Sequence, residues 1–295
     1  MCGICEFFQI QNNEGRIGDR LSKYCFCIFL KCCIQLFLRT LRIYKRSFYT
    51  HFFDRMGIQI VPTTGRAVDG ITQEVRSLPG VNYAISTNGG TVADLVKGTS
   101  LKRCTLSNAK ALEVMDIVKR YRAMYDPYID GRGFSQPEFI GHMEDFGLSP
   151  VIQKMVLSTR DVVPNILNYV TECKKDVEKV NVYLADVNDI VPLRKELSAV
   201  EGIVISSSLY NNLEINALGA TKGIALMWLA DYLGIAPEAT MAFGDGENDL
   251  SMLEAAGVGI AMGNGLDIAK NAADQITLTN DEDGVADAIE RLIFN

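Results

Sequence analysis

Two carboxylates and a carboxamide, Asp245, Asn248 and Asp249, fall within five residues in the run Met241-Ala-Phe-Gly-Asp-Gly-Glu-Asn-Asp-Leu-Ser-Met-Leu-Glu254. Hard oxygen donors packed this closely suit Mg²⁺, which takes one or two carboxylates and completes its shell with water and substrate phosphate. Other uses of an acidic, glycine-rich loop fail position by position. A dinucleotide fingerprint needs a third glycine where Asp249 stands. A calcium loop begun at Asp245 needs glycine at its sixth position and glutamate at its twelfth, where this chain has Leu250 and Ala256. The ordinary alternative is an acidic first turn that complements a helix dipole.

These side chains need a strand, a tight turn and a helix start to hold them. Thr240 to Phe243 reads as the strand, Gly244-Asp-Gly246 as the turn, and Leu250, Leu253 and Ala256 as the buried face of the helix. In an open α/β sheet such a junction is the carboxyl end of a strand, where ligands bind. A second glycine-rich strand end follows in Gly257-Val-Gly-Ile-Ala-Met-Gly-Asn-Gly265.

Gly-Asp-Gly-x-Asn-Asp followed by Ala-Gly-x-Gly-x-Ala-Met-Gly-Asn resembles the fourth motif of the haloacid dehalogenase superfamily, Cof-like branch. The resemblance implies a Mg²⁺-dependent phosphatase that works through an aspartyl-phosphate, with Asp245 and Asp249 as metal residues and Asn248 in substrate binding. Thr64, at the end of the short strand Ile58 to Val61 and followed by Gly65, matches the second motif. A hydroxyl there can hydrogen-bond a phosphoryl oxygen, helped by backbone N–H groups of a helix expected from about Ala67 to Ser77; a threonine N-cap is the plain alternative. Thr221-Lys-Gly223 resembles the third motif, with Glu214-Ile upstream of it. That makes Lys222 the lysine that screens repulsion between a carboxylate nucleophile and an anionic phosphate. As a merely solvated residue in a first helical turn, Lys222 would oppose the dipole. Tyr83-Ala-Ile-Ser-Thr-Asn-Gly-Gly90 resembles the segment leading into the cap, with Asn88 orienting substrate, although an Asn-Gly turn needs no function. The expected catalytic residues are therefore Thr64 and Lys222, and Gly65, Asn88 and Asn248 join them in substrate binding.

The first motif, Asp-x-Asp-Gly with nucleophile and acid/base, is missing. No Asp-x-Asp lies upstream of Thr64, and Leu21 to Phe53 contains no carboxylate at all. Asp54 is only ten residues before Thr64, too few for the crossover of about a dozen or more residues between adjacent parallel strands. Without that pair there is no covalent acceptor and no group to protonate the leaving oxygen, and Mg²⁺ affinity should fall.

Alternating strands and helices imply an α/β fold, a doubly wound parallel sheet with an inserted α/β cap. The expected division is an atypical segment at 1–55, a core at 56–90 and 206–295, and a cap at 91–205 that supplies specificity. Thr91 to Thr105 reads as a hairpin and Asn108 to Arg122 as an amphipathic helix. Strands are expected at Val180 to Ala185 and Gly202 to Ser206. His142 and Lys174-Lys175 read as surface residues.

The 295 residues carry a net charge of −7, which argues against a nucleic-acid surface. The charge is uneven: residues 1–50 hold eight Lys/Arg and three Asp/Glu, so the remainder carries −12. Six of the eight cysteines lie in the first 33 residues, and a body with two isolated cysteines reads as cytosolic and reducing. The opening Met-Cys-Gly-Ile resembles the start of glutamine amidotransferases, but no glutaminase domain follows. Cys2-x-x-Cys5 has no second pair at zinc spacing. The basic, apolar stretch 24–46 is too interrupted to span a membrane. It reads either as a membrane-surface helix with lipidated cysteines or as sequence foreign to the fold, such as a misread exon. Loss of a proper first strand is expected to leave a central sheet edge uncovered and the chain prone to aggregate. Two functions follow: a phosphohydrolase of small phosphorylated metabolites, impaired in this chain, or an inactive phospho-ligand-binding protein.

Overall fold

Apolar residues recur in short runs at the expected strands, and the computed structural model, which describes residues 27–31, 53 and 56–294, assembles them into two sheets. The first has eight strands. β1 (Cys27–Lys31), β2 (Gln59–Thr63), β3 (Tyr83–Ser86), β4 (Thr91–Asp94) and β5 (Thr99–Arg103) come from the first third of the chain. After the strands of the second sheet, β12 (Thr240–Gly244), β13 (Val258–Ala261) and β14 (Gln275–Ile276) complete it. Its spatial order is β14-β13-β12-β1-β2-β3-β4-β5. The six strands from β14 to β3 are parallel, and β4 and β5 add an antiparallel hairpin at one edge. Alternate residues serve opposite faces: Ile60, Met241, Phe243 and Ile260 pack on one side, while Val61, Ala242 and Ile85 meet the helix Lys222–Tyr232 on the other. A sheet buried on both faces is what near-continuous apolar strands such as Thr240–Gly244 require.

The second sheet is built from β6 (Ala123–Ile129), β7 (Arg132–Ser135), β8 (Arg160–Val162), β9 (Lys179–Leu184), β10 (Ile203–Ser206) and β11 (Asn212–Ala217). Its order is β10-β11-β9-β6-β7-β8, antiparallel except for β7 and β8. Helices Asn108–Val118, Ile166–Cys173 and Ile190–Leu197 close over its apolar face, burying Val114, Val170, Leu193, Val180 and Val182.

Four expectations change. The central edge is not left uncovered: Cys27–Lys31 pairs with Thr240–Phe243 on one side and with Gln59–Thr63 on the other. The apolar run Cys27-Ile-Phe-Leu suits a fully buried parallel strand, and residues 32–58 give ample chain for the crossover. The expectation of an edge prone to aggregation is corrected accordingly. Second, the hairpin expected at Thr91 to Thr105 stands in the first sheet and not with the inserted strands. The hairpin Thr91–Arg103 extends the first sheet, because β4 finds an open neighbour in β3. Third, Asn212–Ala217, read as a return to the core, pairs within the second sheet against β9 and β10. Fourth, the helix expected from Ala67 to Ser77 is only a turn at Val68–Gly70 and a single turn of α-helix at Gln73–Arg76. The call on Asp54, and that on 24–46 apart from β1, lie outside the described residues. No helix among the described residues is long and apolar enough to cross a membrane. His142 and Lys174-Lys175 are exposed, as expected.

Candidate active site

The carboxyl ends of β2, β3 and β12 converge, and the polar residues singled out in the sequence gather there. Thr64 follows β2 and is buried. Its backbone N–H donates to Ile85 O (2.8 Å), and its hydroxyl oxygen accepts from the Arg66 N–H (3.1 Å). The Thr64-Gly-Arg turn is thus held by its own side chain rather than by a following helix. The next loop is stitched to it, with Asn88 N–H donating to Thr64 O (3.0 Å) and Thr87 N–H to Arg66 O (2.8 Å). Thr87 and Asn88 both take positive φ, 47° and 58°. Gly89 follows at φ 100°, with the Thr221 carbonyl where a Cβ would stand. Only glycine allows that approach.

Lys222 opens its helix, and Thr221 caps it by accepting from Ile224 N–H (3.3 Å). A cation in a first turn opposes the dipole; here the misfit is resolved by Asp249, whose Oδ1 lies 2.6 Å from Lys222 Nζ in a wholly buried pair. The other carboxylate oxygen of Asp249 accepts from the N–H groups of Asp245 (2.8 Å) and Gly246 (2.9 Å). Asp249, expected among the metal residues, therefore shapes the loop and fixes the lysine. Asp245 stands half-buried just past β12, and the second glycine-rich loop braces it: Leu266 N–H donates to Asp245 O (2.9 Å).

Asn248 reaches across to the other loop. Its Nδ2 donates to Asn88 Oδ1 (3.2 Å) and to Glu214 Oε2 (3.3 Å), while its own Oδ1 is buried with no hydrogen-bond partner. Asn88 is fully used internally, donating also to Glu214 Oε2 (2.9 Å) and Asn216 Oδ1 (3.3 Å). It bridges the loops.

Lys179, missed in the sequence, and Glu214, noted there only beside the third motif, hold this junction. Glu214, on β11, and Lys179, on β9, form a buried ion pair (2.7 Å), and Lys179 Nζ also donates to Gly65 O (2.5 Å). Burial pushes the Glu214 carboxyl up, but the Lys179 charge and hydrogen bond, with the Asn88 amide, more than offset it and leave the pKa below the ordinary value. The signal that could have found them is the strict polar–apolar alternation of Lys179–Leu184 and Asn212–Ala217, in which every residue is buried. Outside this cluster, Arg194 of the helix Ile190–Leu197 grips Glu247 of the metal-type loop through two bonds, 2.7 and 2.9 Å.

Whether Mg²⁺ fits rests on the oxygens present. A carboxylate at the strand end and a buried, unpartnered amide oxygen at Asn248 are hard donors of the kind the ion takes. Among the described residues no three acidic, His or Cys side chains gather into a complete cage, so the donor set suits an ion that shares its shell with phosphate and water. What stands where a first-motif carboxylate would be is set by register: β1 lies between β2 and β12, its last residue, Lys31, level with Thr63.

The sequence profile of haloacid dehalogenase-like hydrolases matches residues 51–289. Phosphatase YwpJ of Bacillus subtilis is 30% identical over 258 residues, 81% of this chain and 89% of its own length. A 5-amino-6-(5-phospho-D-ribitylamino)uracil phosphatase of the same organism, YcsE, is 46% identical, but over 34% of this chain and only 40% of its own length. Among solved structures, a haloacid dehalogenase-like hydrolase from B. subtilis superposes with a TM-score of 0.75 at 25% identity, covering 90% of this chain and 99% of that one.

Proposed function

This chain belongs to the haloacid dehalogenase-like hydrolases, Cof-like branch, and on that premise we propose that it is a phosphatase-type protein for small phosphorylated metabolites, Mg²⁺-dependent in binding and impaired in hydrolysis. The observation that carries the reading is the buried Lys222–Asp249 pair, fixed to the loop that also presents Asp245 at the end of β12. Lys222 supplies positive charge, Thr64 a hydroxyl and Gly65 a backbone amide to the phosphoryl oxygens. Asp245 and the Asn248 amide oxygen would hold Mg²⁺, which when bound neutralises phosphate charge and orients the group. Asp249 holds the Lys222 ammonium in place through the 2.6 Å pair.

The impairment follows from what the strand ends offer. The family resemblance places the nucleophile at the end of the first strand, and β1 ends on Lys31 in a stretch, 21–53, without a carboxylate. The residues present can bind and orient a phosphoryl group but supply no carboxylate to accept it and none to protonate the leaving oxygen. The same observation favours a second reading, a phospho-ligand-binding protein that has given up turnover. A cytoplasmic setting accords with both.

Hydrolysis of p-nitrophenyl phosphate by the full chain, with and without Mg²⁺ and beside Asp245→Asn, separates these readings. Turnover at the Asp245→Asn background, with phosphate still bound, is the expected result. Turnover that needs both Mg²⁺ and Asp245 would refute the impairment. Absence of any phosphate binding would refute the site.

A further inference from the structure

Beside the hairpin of the first sheet lies a cavity of about 330 Å³, near the lower end of the range for ligand pockets. It is separate from the phosphoryl site, since Thr64, Lys222, Asp245 and Asn248 do not line it. One wall is the hairpin, with Thr91 of β4 and Arg103 of β5. The other is the second sheet, with Asp130 at the β6–β7 turn and Glu178 just before β9. Val68 and Leu95 add apolar surface. Glu178 and Thr91 are the most buried of the lining side chains, 2% and 1% exposed, and among the described residues neither Glu178 Oε2 nor Thr91 Oγ1 has a hydrogen-bond partner. Buried polar atoms are nearly always hydrogen-bonded, so these two orphans on one cavity are the groups a ligand would satisfy.

What they call for is a donor. Arg76 is spent on the carbonyls of Ile71 (2.9 Å) and Val68. Lys97 and Lys175, outside the lining, pair with Asp94 (3.2 Å) and Asp130 (2.8 Å). Arg103 is divided between Glu178 Oε1 (3.1 Å) and Asp130 Oδ1 (3.3 Å), and the Gly131 N–H also goes to Glu178 Oε1 (3.2 Å). Burial pushes the Glu178 carboxyl up in spite of Arg103, so the shared guanidinium leaves this carboxylate short of positive charge. An anion would find each of these cations engaged. No three acidic, His or Cys side chains among the described residues gather to cage a metal.

We propose that this cavity binds a small primary ammonium ion with a short aliphatic stem, its N–H groups donating to Glu178 Oε2 and Thr91 Oγ1 and its stem lying against Val68 and Leu95. An –NH₃⁺ group carries three donors and no acceptor, and a hydrogen bond between opposite charges is of the strong kind. Thr91 belongs to the first sheet and Glu178 to the second sheet's side, so the bound ion joins the two where they meet. The assignment is independent of the phosphoryl-site reading.

Calorimetric titration of the full chain with n-butylammonium chloride at constant ionic strength tests it, beside tetramethylammonium chloride, a cation with no N–H to donate. Saturable binding of n-butylammonium and none of tetramethylammonium is expected. Glu178→Gln, which keeps the shape and removes the charge, should weaken binding by about tenfold or more. Thr91→Val, nearly isosteric, should weaken it severalfold, and it carries the test if the first variant does not fold. No saturable binding by the wild type would mean that water alone fills the cavity and would overturn the proposal. Equal binding of the two cations, or variants that bind as the wild type does, would overturn it as well.

Discussion

Replacing Lys179 by methionine isolates the contribution of the junction between the two sheets. The substitution keeps most of the side-chain volume and removes one charge from a pair whose side chains are 2% and 5% exposed. Breaking a buried pair by removing one partner costs about 3–5 kcal/mol, because the other charge is left in low dielectric. Here the amides of Asn88 and Asn248 still donate to Glu214, which argues for the lower end. The lost bond to Gly65 O adds about 1 kcal/mol. The expected cost at pH 7 is therefore about 3–4 kcal/mol, read as a shift in the urea midpoint. The pH dependence has a definite sign. In the wild type the Glu214 pKa is lowered, so its contribution is present above the unfolded carboxylate value and is lost as pH falls through the folded one. Without Lys179, desolvation prevails and Glu214 takes up a proton in the folded state, so the gap between variant and wild type should narrow toward pH 5. The double variant Lys179→Met with Glu214→Gln should recover at least half of the loss at pH 7. A single variant within about 1 kcal/mol of the wild type, or a double variant no better than the single, would refute the argument.

Asp249→Asn leaves the Lys222 ammonium buried beside a neutral amide; a loss of about 3 kcal/mol in urea unfolding and of phosphate binding by calorimetry is expected together. Asp245→Asn should unfold at nearly the wild-type midpoint, since the residue is half-buried at a strand end, yet lose the Mg²⁺-dependent gain in phosphate affinity. Gly223→Ala drives a methyl into the Ser251 carbonyl and should lower stability by about 1–3 kcal/mol, with a rise in the rate of proteolysis as the check. Arg194→Ala should weaken the hold of Glu247 by about 1 kcal/mol or less, an effect that a double-mutant cycle with Glu247→Ala should show shrinking at high salt.

The loop from Asp245 to Asp249 was legible because its chemistry is local: strand, turn and helix start fall within fifteen residues, and each residue type has its own spacing requirement. Thr64 and Lys222 could be read for the same reason, each lying beside glycine at an element boundary. The partners of Asn88 and Asp249 were not legible, because each lies far along the chain, Glu214 for the one and Lys222 for the other. The Lys179–Glu214 pair was hidden by the same distance in sequence, 35 residues across two strands. β1 was missed because it was sought by its missing carboxylates, although Cys27-Ile-Phe-Leu already has the length and composition of a buried strand. Strand partners cannot be read from a single run, so the hairpin at Thr91–Arg103 and the strand at Asn212–Ala217 were each assigned to the neighbouring sheet.

The place of β1 bears on how the chain is made. Cys27 leaves the ribosome early, yet one of its two flanking strands begins at Thr240. At synthesis rates of about 5–20 residues per second, the first strand waits roughly 10–40 s for that neighbour. Until then its apolar run has only β2 to pair with, and half of its backbone groups must be satisfied by water or by other chains. The second sheet, encoded wholly between these two moments, can close its own core while the first is still incomplete. Nascent chains of this protein should therefore carry a folded insert on an unfinished frame, and the residues from Thr240 onward decide whether the early strand is buried in its own molecule or captured by a chaperone or a neighbour.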